Sequence, residues 1–151
     1  MHLTVGDVIR WNDYPYPNDG PEKARWFIYL GRTSIATTPT FAYLCTTTTK
    51  REKFNPGGPR SGHAHKIFDV RQFPIFDEDC ILDYDEDLHV VSMEDLTRHE
   101  YHIEVKGRLD EETLRNIYKQ YFRSVVVSKI QMIDIHSSFN LDGIEGLKKP
   151  K

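Results

Sequence analysis

A chain of 151 residues with 38% apolar side chains, nine Gly and eight Pro is long enough to bury the core of one domain. No apolar run approaches the roughly 18 residues of a membrane-spanning helix, and the first residues lack a signal-peptide pattern, so we expect no membrane partner and a cytoplasmic location. Cys45 and Cys80 lie in apolar segments, which favours two buried thiols over a disulfide.

The net charge of −3 hides an asymmetry between the two halves of the chain. Residues 1–67 carry nine Lys/Arg and five Asp/Glu, a charge of +4, whereas residues 68–151 carry eleven and eighteen, a charge of −7. The acidic total argues against a protein that wraps duplex DNA, which needs a broad basic face. It leaves room for a small cationic site in the N-terminal half.

Short β-branched and aromatic runs, separated by turn residues, dominate most of the chain. The run 26–30 is continuously apolar and ends at Gly31, which is typical of a strand buried on both faces. Residues 12–21 are rich in Pro, Asn, Asp and Gly and predict a loop, and residues 50–65 predict a long mobile loop. Seven segments are candidates for strands, and we expect about six short strands among them: 6–11, 26–30, 41–49, 66–68, 80–82, 89–91 and 101–105.

The C-terminal third predicts the clearest helix of the chain. Asp110 is a good N-cap before two glutamates, and the apolar residues that follow recur at a spacing of three or four. A shorter helical turn is expected after Ser92, which begins a capping box. Residues 125–135 could continue the helix that begins at Asp110 or form a last strand, and the Val-Val-Val run favours the strand. Residues 137–151 are expected to form a polar, frayed tail.

These elements predict an α+β chain that is mainly β, a small β-barrel with a C-terminal helix. We expect a single domain over residues 1–136, followed by the polar tail 137–151.

Two neighbouring features could contact phosphate. Arg25 lies where the Pro-rich loop meets a buried strand, and its guanidinium offers a fork of donors and a permanent charge. Alternate threonines of a strand could donate hydroxyls to a phosphate, and basic residues follow them; this second group comprises Thr46, Thr47, Thr48, Lys50, Arg51 and Lys53. Each feature also has an ordinary explanation, since surface arginines often flank core strands and threonine is a good strand residue.

His63 and His65 could transfer protons near neutral pH. They could equally be ordinary surface histidines of a loop. Seven carboxylates within residues 77–87 match no calcium-binding loop and are best explained as a solvated strand edge. The sequence has no diagnostic spacing for a metal, a nucleotide cofactor or a catalytic serine, so we expect no metal and no cofactor.

The order of these motifs resembles the PemK/MazF/Kid family of toxin endoribonucleases. The likeness consists of a Gly6-Asp7 start to the first strand, Arg25 before an apolar strand, and Cys45-Thr46 in the next strand. Residues 80–85 and 105–109, with the helix after them, are similar to the family's C-terminal half. The resemblance covers roughly residues 3–125.

This resemblance implies an SH3-like barrel of the CcdB/Kid/MazF type, a homodimer that binds single-stranded RNA, and a small antitoxin protein as a further partner. Members cut RNA without metal by attack of a 2′-hydroxyl on the adjacent phosphate. The catalytic residues that the resemblance implies are Arg25, Thr46 and Asp85, and we expect further RNA contacts from Lys23, Thr47, Thr48, Lys50, Arg51, Lys53 and His65. The Thr46 hydroxyl is expected to be exposed.

Two positions depart from the family pattern. Trp26 stands where a Pro commonly follows the family arginine, and Asp83 stands where some members carry an arginine. A second carboxylate near Asp85 would raise the pKa of Asp85. With Asp83 in place of the arginine, the site also lacks a cation that would help to bind RNA. Two alternatives therefore stay open, namely a non-catalytic PemK-like module that binds nucleic acid or protein, and a CcdB-like poison of a protein target.

Overall fold

The structure is a computed structural model that describes residues 1–16, 24–34 and 39–151. Its strands are β1 Asp7–Trp11, β2 Arg25–Arg32, β3 Phe41–Thr48, β4 His65–Phe68, β5 Cys80–Asp83, β6 His89–Ser92 and β7 Ile103–Arg108. Its α-helices are α1 Met93–Arg98, α2 Glu111–Arg123 and α3 Lys129–Leu141. Short 3-10 helices cover Arg51–Phe54 and Glu100–His102.

The strands form one antiparallel sheet in the order β4-β5-β3-β2-β1-β7, with β6 also paired to β3. Besides β2, two further strands pair with β3. β6 pairs with its first half, Phe41 to Leu44, and β5 pairs with its end at Thr47 and Thr48. The predicted α+β class with mainly β structure is confirmed. In the part of the chain that the structure describes, the sheet is open, with β4 and β7 at its ends.

The capping signals of two helices are confirmed. Asp110 accepts a hydrogen bond from the backbone N–H of Thr113 at the start of α2, and Ser92 accepts one from Asp95 at the start of α1. The apolar stripe of α2 is buried in the core through Leu114, Ile117, Tyr118 and Tyr121. Cys45 and Cys80 are buried free thiols, as predicted.

The strand predicted over residues 125–135 is wrong, because this segment leads into α3. Ser128 caps the helix, and the Ser128 and Gln131 side chains each bond the other's backbone N–H. This capping box, with Met132, Ile135 and Phe139 buried at helical spacing, outweighs the strand preference of the three valines before it.

The frayed tail expected over residues 137–151 is also wrong. Helix α3 continues to Leu141 and so crosses the domain boundary predicted at residue 136. Beyond it, Ile144 is 2% exposed, and the Tyr118 hydroxyl donates a hydrogen bond of 2.6 Å to the carbonyl of Lys148. The segment therefore packs against α2. No described helix is long and apolar enough to cross a membrane.

Helix α3 docks on β2 at a bulge in the sheet. The β2–β3 register shifts between Tyr29 and Gly31, where the backbone of Gly31 has φ +141°. The Ser138 hydroxyl accepts a hydrogen bond from the Arg32 N–H at 3.0 Å and donates one to the Arg32 carbonyl at 3.3 Å. A Cβ atom at position 31 would lie 2.5 Å from the Ser138 side chain.

We expect Gly31→Ala to lower the free energy of unfolding by about 2–4 kcal/mol, because it adds both backbone strain and overpacking. Urea denaturation of the wild type and the variant measures this loss. Gly62→Ala is the control, since Gly62 has no strained φ and open space around it. Equal stability of the two variants would contradict the docking of α3 on this bulge.

Candidate functional site

A buried carboxylate lies at the end of β5. The side chain of Asp83 is 1% exposed, and all four residues of β5 are buried between β3 and β4. Its Oδ2 contacts Arg60 Nη1 at 3.2 Å and His63 Nδ1 at 2.8 Å, and its Oδ1 accepts the backbone N–H of Asp85 at 2.9 Å. Burial of a charge requires such partners, so Asp83 fixes the two loop side chains that reach it.

This contact orients the His63 ring. An ionised carboxylate only accepts hydrogen bonds, so the 2.8 Å contact assigns a proton to Nδ1 of His63, and the neutral form of the ring then carries its lone pair on Nε2. The His63 side chain is 36% exposed. A neutral imidazole held in this tautomer at the surface can take a proton from a bound substrate.

Several cations come near one half-buried acid, Glu86. Arg60 Nη1 lies 3.9 Å from Glu86 Oε2. Burial raises the pKa of Glu86, while the positive charges of Arg60, Arg25 and Lys53 act against this rise. Arg25, predicted to be catalytic, and Lys53, predicted to bind RNA, thus act on the same carboxyl as Arg60.

Arg25 itself is held at the start of β2. In the β1–β2 register it lies opposite Trp11, and its guanidinium lies 5.5 Å from the centre of the Tyr14 ring. Within the described residues no carboxylate forms an ion pair with Arg25. A half-buried guanidinium without an acidic partner can accept an anionic ligand.

The threonines of β3 do not form the expected hydroxyl cradle. Thr46 pairs with Phe27, two residues from Arg25, and is only 8% exposed, so the prediction of an exposed Thr46 hydroxyl is wrong. Its Oγ1 donates to the Trp26 carbonyl at 3.0 Å, because the neighbouring strand β2 covers it. Thr47 pairs with Leu82 of β5.

The remaining predicted residues lie at the margins of the cluster. Asp85 is exposed and accepts the Ala64 N–H at 2.9 Å, and His65 Nδ1 contacts the His63 carbonyl at 2.8 Å. The Thr48 hydroxyl accepts the backbone N–H of the exposed Lys50. Arg51 pairs with Asp79 at 3.4 Å. Lys23 lies outside the described residues.

The loop predicted to be mobile over residues 50–65 instead contains the 3-10 helix Arg51–Phe54 and hydrogen-bonded turns. The Arg60 N–H donates to the Lys53 carbonyl at 2.8 Å, and the Arg60 guanidinium lies 5.9 Å from the centre of the Phe54 ring. These contacts bring Arg60 and His63 to Asp83. Sequence reasoning missed Arg60 and Glu86 as site residues, and it interpreted Asp83 as a like charge near Asp85 and as a lost cation.

Within the described part of the chain, one group of side chains has metal-ligating atoms close together, namely His63, Asp83 and Asp85. One ligand atom of each lies within 4.8 Å of the others. Arg60 already bonds the same Asp83 oxygen as His63 and would compete with a cation there.

Comparison of the chain with protein-family models, curated proteins and solved structures found no match. The contacts of the site itself therefore carry the case for a function.

We expect Thr46→Val to lower the free energy of unfolding by about 1 kcal/mol, because it removes a buried hydrogen bond at nearly constant shape. Thr46→Ser is the matched variant, since it keeps the hydroxyl that bonds Trp26. Chemical denaturation compares the two. A Thr46→Val variant as stable as the wild type would show that the hydroxyl contributes nothing to the β2–β3 pairing.

Proposed function

We propose that this chain is a metal-independent endoribonuclease of the toxin–antitoxin type, a divergent PemK/MazF/Kid-like protein that cuts single-stranded RNA. The observation that carries the proposal is the 2.8 Å contact between buried Asp83 and His63, which leaves the exposed imidazole able to act as a base. Arg25 and Arg60 add two cations whose charges act on the neighbouring Glu86.

The reaction needs a base, an acid and a cation near the phosphate. His63 Nε2 takes the proton of the 2′-hydroxyl, and the 2′-oxygen forms a bond to the adjacent phosphorus. Arg25 and Arg60 stabilise the extra negative charge of the phosphorane. The bond from phosphorus to the 5′-oxygen then breaks, and that oxygen leaves with a proton. The products are a 2′,3′-cyclic phosphate and a 5′-hydroxyl.

Glu86 is the group to which we assign the proton of the leaving oxygen. Burial raises its pKa, which favours a protonated carboxyl beside the cations. His63 replaces Asp85 as the base in this proposal, because Asp85 is exposed and bonds the Ala64 N–H. Thr46 has no direct role, since its hydroxyl donates to Trp26.

The proposal also includes the finer features that the resemblance implies. These are an SH3-like barrel of the CcdB/Kid/MazF type, a homodimer that binds RNA between its subunits, and neutralisation in the cytoplasm by a small antitoxin protein. The antiparallel sheet with a helix directly after β7 supports the fold assignment.

We expect the purified protein to cut a pool of single-stranded RNA in EDTA and to leave 2′,3′-cyclic phosphate ends. Arg25→Ala and His63→Ala should each lower the cleavage rate by about a hundredfold or more, the usual cost of losing a charge-stabilising group or a general base. Arg71→Ala is the control, since Arg71 is exposed and pairs with Asp69. Gel analysis and mapping of the RNA ends measure both results.

Intact RNA with the wild type would contradict the enzyme proposal, as would equal cleavage by all four proteins. Growth arrest on expression distinguishes the alternatives. If the Arg25→Ala, His63→Ala double variant still arrests growth, the target is a protein and the chain is a CcdB-like poison.

A further inference from the structure

An open groove of about 420 Å³ lies beside β6, next to the face that carries Arg25. A volume of this size is in the range of small-ligand sites. Its lining includes Tyr14, Tyr16, Phe41, His89, Val90 and Ser92. Of these residues the sequence motifs singled out only Ser92, as the cap of a helix.

One wall of the groove is a fixed aromatic edge. The rings of Tyr14 and Tyr16 meet edge to face at 5.5 Å, and both pack edge to face on Trp11. The Tyr16 hydroxyl donates to Asp95 at 2.9 Å, which holds the ring in place while 43% of the residue stays exposed. Val90, which is 46% exposed, adds apolar surface. The flat face of a planar ring can stack here at little cost in side-chain entropy.

The polar groups of the lining are suited to a neutral ligand. Burial, with the charge of Arg25, lowers the pKa of His89, which favours the neutral imidazole. Its Nδ1 contacts the Tyr14 hydroxyl at 3.5 Å, so Nε2 is the ring nitrogen that can hydrogen-bond a ligand. Asp95 is occupied, because its two carboxylate oxygens accept from Tyr16 and Arg98. The groove thus combines an aromatic face with a neutral hydrogen-bonding edge, which matches a nucleobase.

Arg25 connects this groove to the proposed cleavage site. Its guanidinium lies over the Tyr14 ring, and its charge acts on both His89 in the groove and Glu86 in the charged cluster. A ligand that spans both regions carries an anionic group beside a flat polar ring.

We infer that the groove lined by Tyr14, Tyr16 and His89 binds one unpaired base of the RNA strand, next to the phosphate that Arg25 contacts. This inference rests on the proposed function, since it specifies how the same strand is held. Stacking on an aromatic side chain is sequence-tolerant, and its loss weakens binding by roughly fivefold to a hundredfold.

The test uses 2′-O-methyl RNA, which lacks the attacking hydroxyl and stays intact. A set of oligonucleotides, each with one abasic position, is titrated against the wild type and Tyr16→Ala by fluorescence anisotropy. Tyr16→Phe keeps the ring and serves as the conservative variant. Tyr101→Ala removes an equally accessible tyrosine, 95% exposed, that does not line the groove.

We expect at least one abasic position to raise the Kd of the wild type by roughly fivefold to a hundredfold. Tyr16→Ala should raise the Kd of intact RNA by a similar factor and should cancel the effect of that abasic position. Tyr101→Ala should bind like the wild type. Tyr16→Phe keeps the ring but loses the bond to Asp95, so its Kd should lie between those of the wild type and Tyr16→Ala.

Three results overturn parts of the account separately. If every abasic oligonucleotide binds like intact RNA while Arg25→Ala weakens binding, the protein holds only the RNA backbone and the base-binding groove is wrong. If base-sensitive binding is found but unmodified RNA is not cut, the enzyme proposal fails and the groove stands. If intact RNA does not bind at all, both fail.

Discussion

The site depends on one interaction, the burial of the Asp83 carboxylate against Arg60 and His63. A charge with 1% of its side chain exposed is stable only when its oxygens are occupied. Asp83 meets this condition with a guanidinium, an imidazole and a backbone N–H, two of which come from a loop about twenty residues earlier in the chain. Removing one partner of such a group typically costs 3–5 kcal/mol, so the same contact that orients His63 also holds the loop against the sheet.

The order of the strands explains why this contact matters beyond the loop. β5 pairs with the end of β3, and β3 pairs with β2, at whose start Arg25 lies. Charges from the loop and from β2 thereby act on Glu86, and Arg25 extends the cationic region to the Tyr14 ring. Arg60, Arg25 and Lys53 thus bring three positive charges to bear on one carboxyl, although the chain as a whole is acidic.

Local signals in the sequence predicted much of the fold, and contacts between distant segments set the rest. The Asp110 cap, the apolar run before Gly31 and the placement of Arg25 at the start of a strand all follow from neighbouring residues. The partners of Asp83 do not, because they depend on how the loop packs after β4 and β5 have paired. For α3 the valines gave a misleading local preference, and Ser128 with Gln131 was the signal that could have corrected it. The burial of Thr46 depends on the register of β2, which alternation within β3 alone does not reveal.

Measuring the tautomer of His63 tests most directly the claim that the buried Asp83 carboxylate orients this ring. Long-range proton–nitrogen NMR of the histidine rings at about pH 8.5, roughly two units above the ordinary pKa of imidazole, distinguishes a proton on Nδ1 from one on Nε2. The Asp83 contact predicts Nδ1–H with a free Nε2, and Asp83→Asn should change the His63 signals while leaving those of His136, which contacts Leu147, unchanged. If that variant loses folded structure, the wild-type spectrum alone decides. His63 protonated mainly on Nε2 in the wild type would contradict the account.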